Sequence, residues 1–188
     1  ETWDGFLNDI NGFHVRKEHV FQALDGATTG KIAEGNVGGG TGMIAHGFKG
    51  GTGTSSRKLD ARAGGYTVGV LVQANYGGRQ NLSIAGVPVG KEIPDLTPER
   101  GKPGEGSGSI IVVAATDAPL LPHQLKRMAT RISLGIGIVG GRGENSSGDI
   151  FIAFSTSNPH ASQDSGLVAL SMLPNDRINP LFNATVQA

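Results

Sequence analysis

At one peptide bond, Gly108 to Ser109, this chain changes character. The stretch GEGSG, polar and glycine-rich, suits neither helix nor sheet; SIIVVAATD, which follows, is a run of β-branched and small apolar residues that reads as a buried strand. Ser109 therefore takes a strand's first position. Two readings of the junction stand side by side. One is an ordinary loop entering a strand. The other is self-cleavage before Ser109, which would leave a hydroxyl nucleophile and an α-amine base on one residue. A free amino group titrates near pH 8 and can take the hydroxyl proton. Glycine at 108 suits such a cut, because a residue without Cβ permits the backbone geometry that brings a hydroxyl onto the preceding carbonyl.

The approach to that bond also suits a cut. Residues 93–108 hold three prolines and mixed charge, the composition of an exposed linker that can be opened without tearing a core. The 188 residues suit one domain with a sizeable core. Thirty-one glycines point to a sheet-rich fold with many tight turns and away from a coiled coil. Sixteen basic and sixteen acidic residues cancel without forming blocks, so nothing points to nucleic acid or an anionic membrane as partner. With no cysteine, disulfides, thiolate catalysis and cysteine-zinc sites are excluded. No apolar run approaches the roughly 18 residues that span a bilayer, and no cofactor is implied.

Several motifs fail on inspection. His14 and His19 lie five apart, about 140° off a shared helical face, so capping or solvated roles fit better than metal binding. In the glycine-dense stretch 35–57, Lys49 precedes the Gly-Gly pair and no Ser or Thr follows it, so the phosphate-loop spacing is absent and turn chemistry remains. GIGIVG at 135–140 matches the dinucleotide fingerprint by letter, yet it follows a helical pattern where that fingerprint must follow a strand.

The periodicity predicts an amphipathic helix over 13–24 with Phe13, Val20, Phe21 and Leu24 on one side, ended by Gly26. It predicts a hairpin from 55–61 and 66–75 around Gly64-Gly65, a short strand at 82–87, and the strand 109–116. A helix opens at Pro122 with Leu121, Leu125, Met128 and Ile132 on its apolar face. A strand follows at 149–156, with Ile150, Ile152 and Phe154 on one side, then a strand at 166–173 and a helix from Asn179-Pro180. Strong strands alternating with amphipathic helices give a mixed α/β fold. Asn75, at a strand's end, either shapes the following turn or aims its NH2 into a cleft as an oxyanion donor. Ser147 and Asp149, two apart on an extended chain, point the same way. They form either a solvated turn or a hydroxyl and carboxylate converging on one cleft.

The blocks GSGSIIVVAATDAPLLPHQLKRMATRISLGIG, GNVGGGTGMIAHGFKGGTGTSSR and SSGDIFIAFSTSN resemble the L-aminopeptidase D-amidase/esterase family, which includes the β-peptidyl aminopeptidases, over nearly the whole chain. The resemblance implies an αββα sandwich of the N-terminal-nucleophile kind, a serine aminopeptidase with amidase or esterase breadth, and cleavage between Gly108 and Ser109. It implies Ser109 as nucleophile, Asn75 in the oxyanion hole, and Ser147 and Asp149 beside the nucleophile. Glu1 falls where the family places the carboxylate that holds the substrate's ammonium. Trp3 stands where some members have tyrosine, and offers an indole N–H and an aromatic wall instead. Small peptides, amino-acid amides or esters are the implied substrates.

The resemblance also implies oligomers of cleaved subunit pairs, with residues 1–108 in one subunit and 109–188 in the other, and a family chain longer than this one at both ends. A cytoplasmic location is the expectation, a periplasmic one the alternative. GTGMIAHGFKGG is also similar to glycine-rich segments of the ornithine acetyltransferases, an alternative that the serine at 109 disfavours because those enzymes use threonine. A non-catalytic, sheet-rich binding module is the alternative from another class.

Overall fold

The computed structural model describes residues 2–98, 108–145, 147–164 and 166–188. Among these, one four-stranded sheet organises the molecule: β3 (Gly51–Lys58), β4 (Thr67–Asn75), β5 (Ser109–Thr116) and β6 (Ile150–Ser155), side by side in that order. The hairpin β3–β4 and the pair β4–β5 are antiparallel, whereas β5 and β6 run parallel. Parallel neighbours need a crossover. The helix α3 (Pro122–Ile138) supplies it, opened by Pro122 in its first turn and running through Gly135 and Gly137. A two-stranded ribbon, β1 (Ile44–Ala45) and β2 (Phe48–Lys49), packs against β4. The remaining helices are α1 (Lys17–Asp25), α2 (Val89–Glu92) and α4 (Asn179–Gln187).

The two faces of the sheet differ. Val68, Val70, Ile110, Val112 and Ala114 point to one side, where Met128 and Ile132 of α3 and Leu181, Phe182 and Ala184 of α4 bury them. Gly135 lets the helices meet closely, since a Cβ there would lie 2.9 Å from the Val186 carbonyl. Ile150, Ile152 and Phe154 share one side of β6 as the alternation predicts, but that side is the open face, where they are 43%, 50% and 45% exposed. The class is mixed α/β; the described residues supply one helical layer and one sheet layer of the αββα order, plus the ribbon.

Three local expectations are corrected. Residues 82–87 form no strand: Ala85 (φ 50°) and Gly86 (φ 82°) turn the chain back so that Ile84 and Val87 bond each other across a tight turn. Residues 166–173 are irregular, with Leu173 N–H tied to the Pro119 carbonyl at 2.7 Å and Asn158 bonding Ser171 through both ends of its amide. The first helix begins only at Lys17, because Phe13 adopts a left-handed conformation (φ 47°), and its apolar residues are exposed rather than packed. His19 caps it, accepting Arg16 N–H at 3.0 Å. The expected linker lies partly outside the described residues; up to Leu96, Arg79 holds it by donating to the carbonyls of Ile93, Asp95 and Leu96.

Candidate active site

Register brings the site together. Asn75 is the last residue of β4 and Ser109 the first of β5, and the antiparallel ladder sets them directly opposite one another. Cross-strand partners present their side chains on the same face, so amide and hydroxyl stand together at one end of the sheet. Both are buried, Asn75 5% and Ser109 6% exposed.

The parallel neighbour completes the cluster. Asp149, just ahead of β6, accepts the Ile110 N–H at 3.1 Å through Oδ1, and the Ser147 hydroxyl donates to the same oxygen. Ser147 and Asp149 thus meet at this oxygen. It is the backbone between them, however, that touches the serine: Gly148 N–H donates to Ser109 Oγ at 2.9 Å. Nothing in the sequence singles out Gly148, whose contribution is a main-chain donor.

Asn75 is held at both ends of its amide. Its Oδ1 accepts the Ile44 N–H at 3.0 Å, and its Nδ2 donates to the Trp3 carbonyl at 2.7 Å. An NH2 carries two hydrogens, so one N–H remains beyond the bond to Trp3. Trp3 therefore meets the site through its main chain, while its half-exposed indole folds over Gly5. Glu1 lies outside the described residues. Gly108 sits hard against this pair: a Cβ at 108 would fall 2.4 Å from the Asn75 carbonyl and 3.0 Å from Tyr76 Cα. The glycine before the serine is thus required by space as well as by its positive φ of 158°.

Two residues that sequence reasoning passes over brace the cluster. Tyr76 is a partly buried phenol whose pKa is pushed up to about 12, first by burial and then by the negative charge of Asp149. It stays protonated at neutral pH. His46, 4% exposed, packs edge-on to Tyr76 with ring centroids 4.9 Å apart. Its backbone N–H donates to the Tyr76 carbonyl at 2.7 Å, and its Nδ1 lies 3.2 Å from the Gly78 carbonyl, which makes Nδ1 the protonated nitrogen. Burial lowers its pKa, opposed by the Gly78 hydrogen bond and the charge of Glu144.

The model of peptidase family S58 matches residues 1–188. The chain belongs to peptidase family S58. A relative from Sphingosinicella microcystinivorans, the β-peptidyl aminopeptidase BapA, is 52% identical over the whole of this chain and half of its own length. Among solved structures, a Burkholderia β-aminopeptidase superposes with a TM-score of 0.89 at 53% identity, covering all of this chain and 53% of its own. The L-aminopeptidase D-Ala-esterase/amidase from Ochrobactrum anthropi gives 0.87 at 52% identity, over 98% of this chain and 50% of its own. That structure is described as a prototype of the serine aminopeptidases and a variant of the Ntn hydrolase fold, the fold implied above for this chain. The chain spans about half the length of the curated relatives it matches.

Among the described residues, no group of three or more His, Asp or Glu side chains is arranged to hold a metal ion, and no helix is long and apolar enough to cross a membrane.

Proposed function

We propose that this chain forms the catalytic part of a self-cleaving serine aminopeptidase that releases N-terminal residues from small peptides, amides or esters. The observation that carries the reading is the pairing of Ser109 with Asn75 at the sheet's end, with Gly148 N–H on Ser109 Oγ.

In this reading the chain first opens between Gly108 and Ser109, giving Ser109 a free α-amine. Ser109 Oγ attacks the substrate carbonyl while its proton passes to that amine. The carbonyl oxygen, now negative, takes a hydrogen bond from the second N–H of Asn75. Collapse of the tetrahedral species breaks the scissile C–N bond and returns the proton to the leaving amine. Water then hydrolyses the ester on Ser109 by the same proton path in reverse. Asp149 fixes Ile110 N–H, and its negative charge, with Ser147 bonded to it, orients and polarises the nucleophile. Tyr76, neutral throughout, acts as a wall and not as a base. Glu1 supplies the counter-charge for the substrate's ammonium, with Trp3 beside it, and the active form is an oligomer of cleaved subunit pairs.

The test compares a free-amine amino-acid amide with its N-acetylated form, using the full-length enzyme. The free form should be turned over and the acetylated one far more slowly. Equal turnover would remove the ammonium site, and with it the aminopeptidase assignment.

A further inference from the structure

We propose that Lys49 is a positioning residue for the Asn75 amide, acting through the single peptide group that joins Met43 to Ile44. The proposal rests on the reading of Asn75 as oxyanion donor.

One peptide plane is gripped at both ends. At its oxygen end, the Met43 carbonyl accepts from Lys49 Nζ at 3.0 Å and from Gly50 N–H at 2.8 Å. At its nitrogen end, Ile44 N–H donates to Asn75 Oδ1 at 3.0 Å. The flanking residues leave this plane little freedom, since Met43 is 2% and Ile44 7% exposed. Lys49 and Ile44 are also ladder partners in the ribbon.

The ammonium is fully committed to this task. It has three N–H donors, and they meet three main-chain carbonyls: Gly40 at 2.9 Å, Met43 at 3.0 Å and Gly50 at 2.8 Å. All three belong to the glycine-rich stretch around the ribbon. Loss of hydration there lowers the lysine's pKa. The side chain itself is exposed, so it fills no core space whose loss would explain an effect of its removal.

Two consequences reach the site. A cation on a peptide carbonyl strengthens the N–H of the same peptide as a donor, because hydrogen bonds in series polarise one another. That N–H then sets which way the Asn75 amide faces: with Oδ1 claimed by Ile44, the NH2 must lie on the other side. The same charge shift through the amide makes the remaining N–H of Asn75 a better donor to a developing oxyanion.

The test is a double-mutant cycle in the full-length enzyme with Lys49→Met, Lys49→Arg, Asn75→Ala and the double variant Lys49→Met/Asn75→Ala. The substrate is whichever of the α- or β-alanine p-nitroanilides the wild type turns over. Removing an oxyanion donor outright costs about 10²–10³ in kcat. Lys49→Met should cost about tenfold or more in kcat with KM within threefold. Lys49→Arg, which keeps the charge, should recover part of the loss. In the Asn75→Ala background the further cost of Lys49→Met should fall below threefold, because the group it positions is gone.

Where a variant arrives uncleaved, the same cycle is run on the rate of self-cleavage, read by intact mass with folding checked by circular dichroism. A Lys49→Met enzyme within twofold of wild type would overturn the role. So would losses that multiply independently in the double variant, which a merely structural lysine would give. Turnover that survives Ser109→Ala would overturn the reading of the site, and this role with it.

Discussion

Asn75 and Ser109 are cross-strand partners, the last residue of one strand facing the first of the next. Neither needs a flexible loop to reach the other. The antiparallel ladder that pairs Ala74 with Ile110 and Gln73 with Ile111 also fixes the separation of amide and hydroxyl. Groups placed on rigid elements pay little reorganisation when charge develops between them.

Replacing Asn75 therefore has two separable effects. Asn75→Ala should lower kcat by about 10²–10³. It should also destabilise the fold by about 1–3 kcal/mol, because the buried Ile44 N–H loses its acceptor. Asn75→Asp keeps an acceptor for Ile44 but no NH2, and sets a carboxyl against the Trp3 carbonyl, so it should regain stability only at low pH, where the carboxyl is protonated, and none of the rate. Parallel thermal melts and kinetics check both; equal recovery of rate and stability would contradict the assignment.

Gly108 tests the geometry of the cut. A methyl group at this position would lie 2.4 Å from the Asn75 carbonyl. Gly108→Ala should accumulate as uncleaved chain, followed by intact mass over time. Cleavage at the wild-type rate would show that the close approach at 108 is irrelevant to processing.

Asp149 joins two strands as well as the site. Asp149→Ala should strip the Ile110 N–H of its acceptor and cost about 1–3 kcal/mol. Asp149→Asn retains a carbonyl oxygen for that bond and should fold nearly normally while losing activity, since the negative charge beside Ser109 is gone. A fully active Asp149→Asn enzyme would leave the carboxylate a purely structural role.

His46 gives a pH signature in stability. Its folded pKa lies below its ordinary value of 6.5, mainly through burial. As pH falls through 6.5 the unfolded chain takes up the proton first, so the folded state loses stability progressively down to the lowered folded value. Glu144 and the Gly78 carbonyl oppose the shift, and Tyr76, against the ring, stays neutral. His46→Gln, whose amide can still donate to Gly78, should flatten the dependence of Tm on pH as pH falls below 6.5. An unchanged slope would show that His46 does not titrate on unfolding in that range.

The parts of the site that depend on local chain grammar were legible in the sequence. The β-branched run after Ser109 and the glycine before it mark the strand's start, and the two-residue spacing of Ser147 and Asp149 aims them together. What depends on register was not. That Ser109 faces Asn75, or that Asp149 reaches Ile110, follows from pairings between strands 34 and 39 residues apart in sequence, which no local pattern encodes. Main-chain donors were equally hidden, since Gly148 and Ile44 act through N–H groups that every residue but proline carries. Residues 82–87 misled because an apolar run around Ala85-Gly86 reads the same for a strand and for a tight turn.

The proposed cycle requires Ser109 to carry a free α-amine in the working enzyme. N-terminal sequencing of the active, full-length protein tests this most directly. One polypeptide should begin Ser-Ile-Ile, and its appearance should track the rise of activity. Full turnover by a chain in which Ser109 remains joined to Gly108 would contradict it.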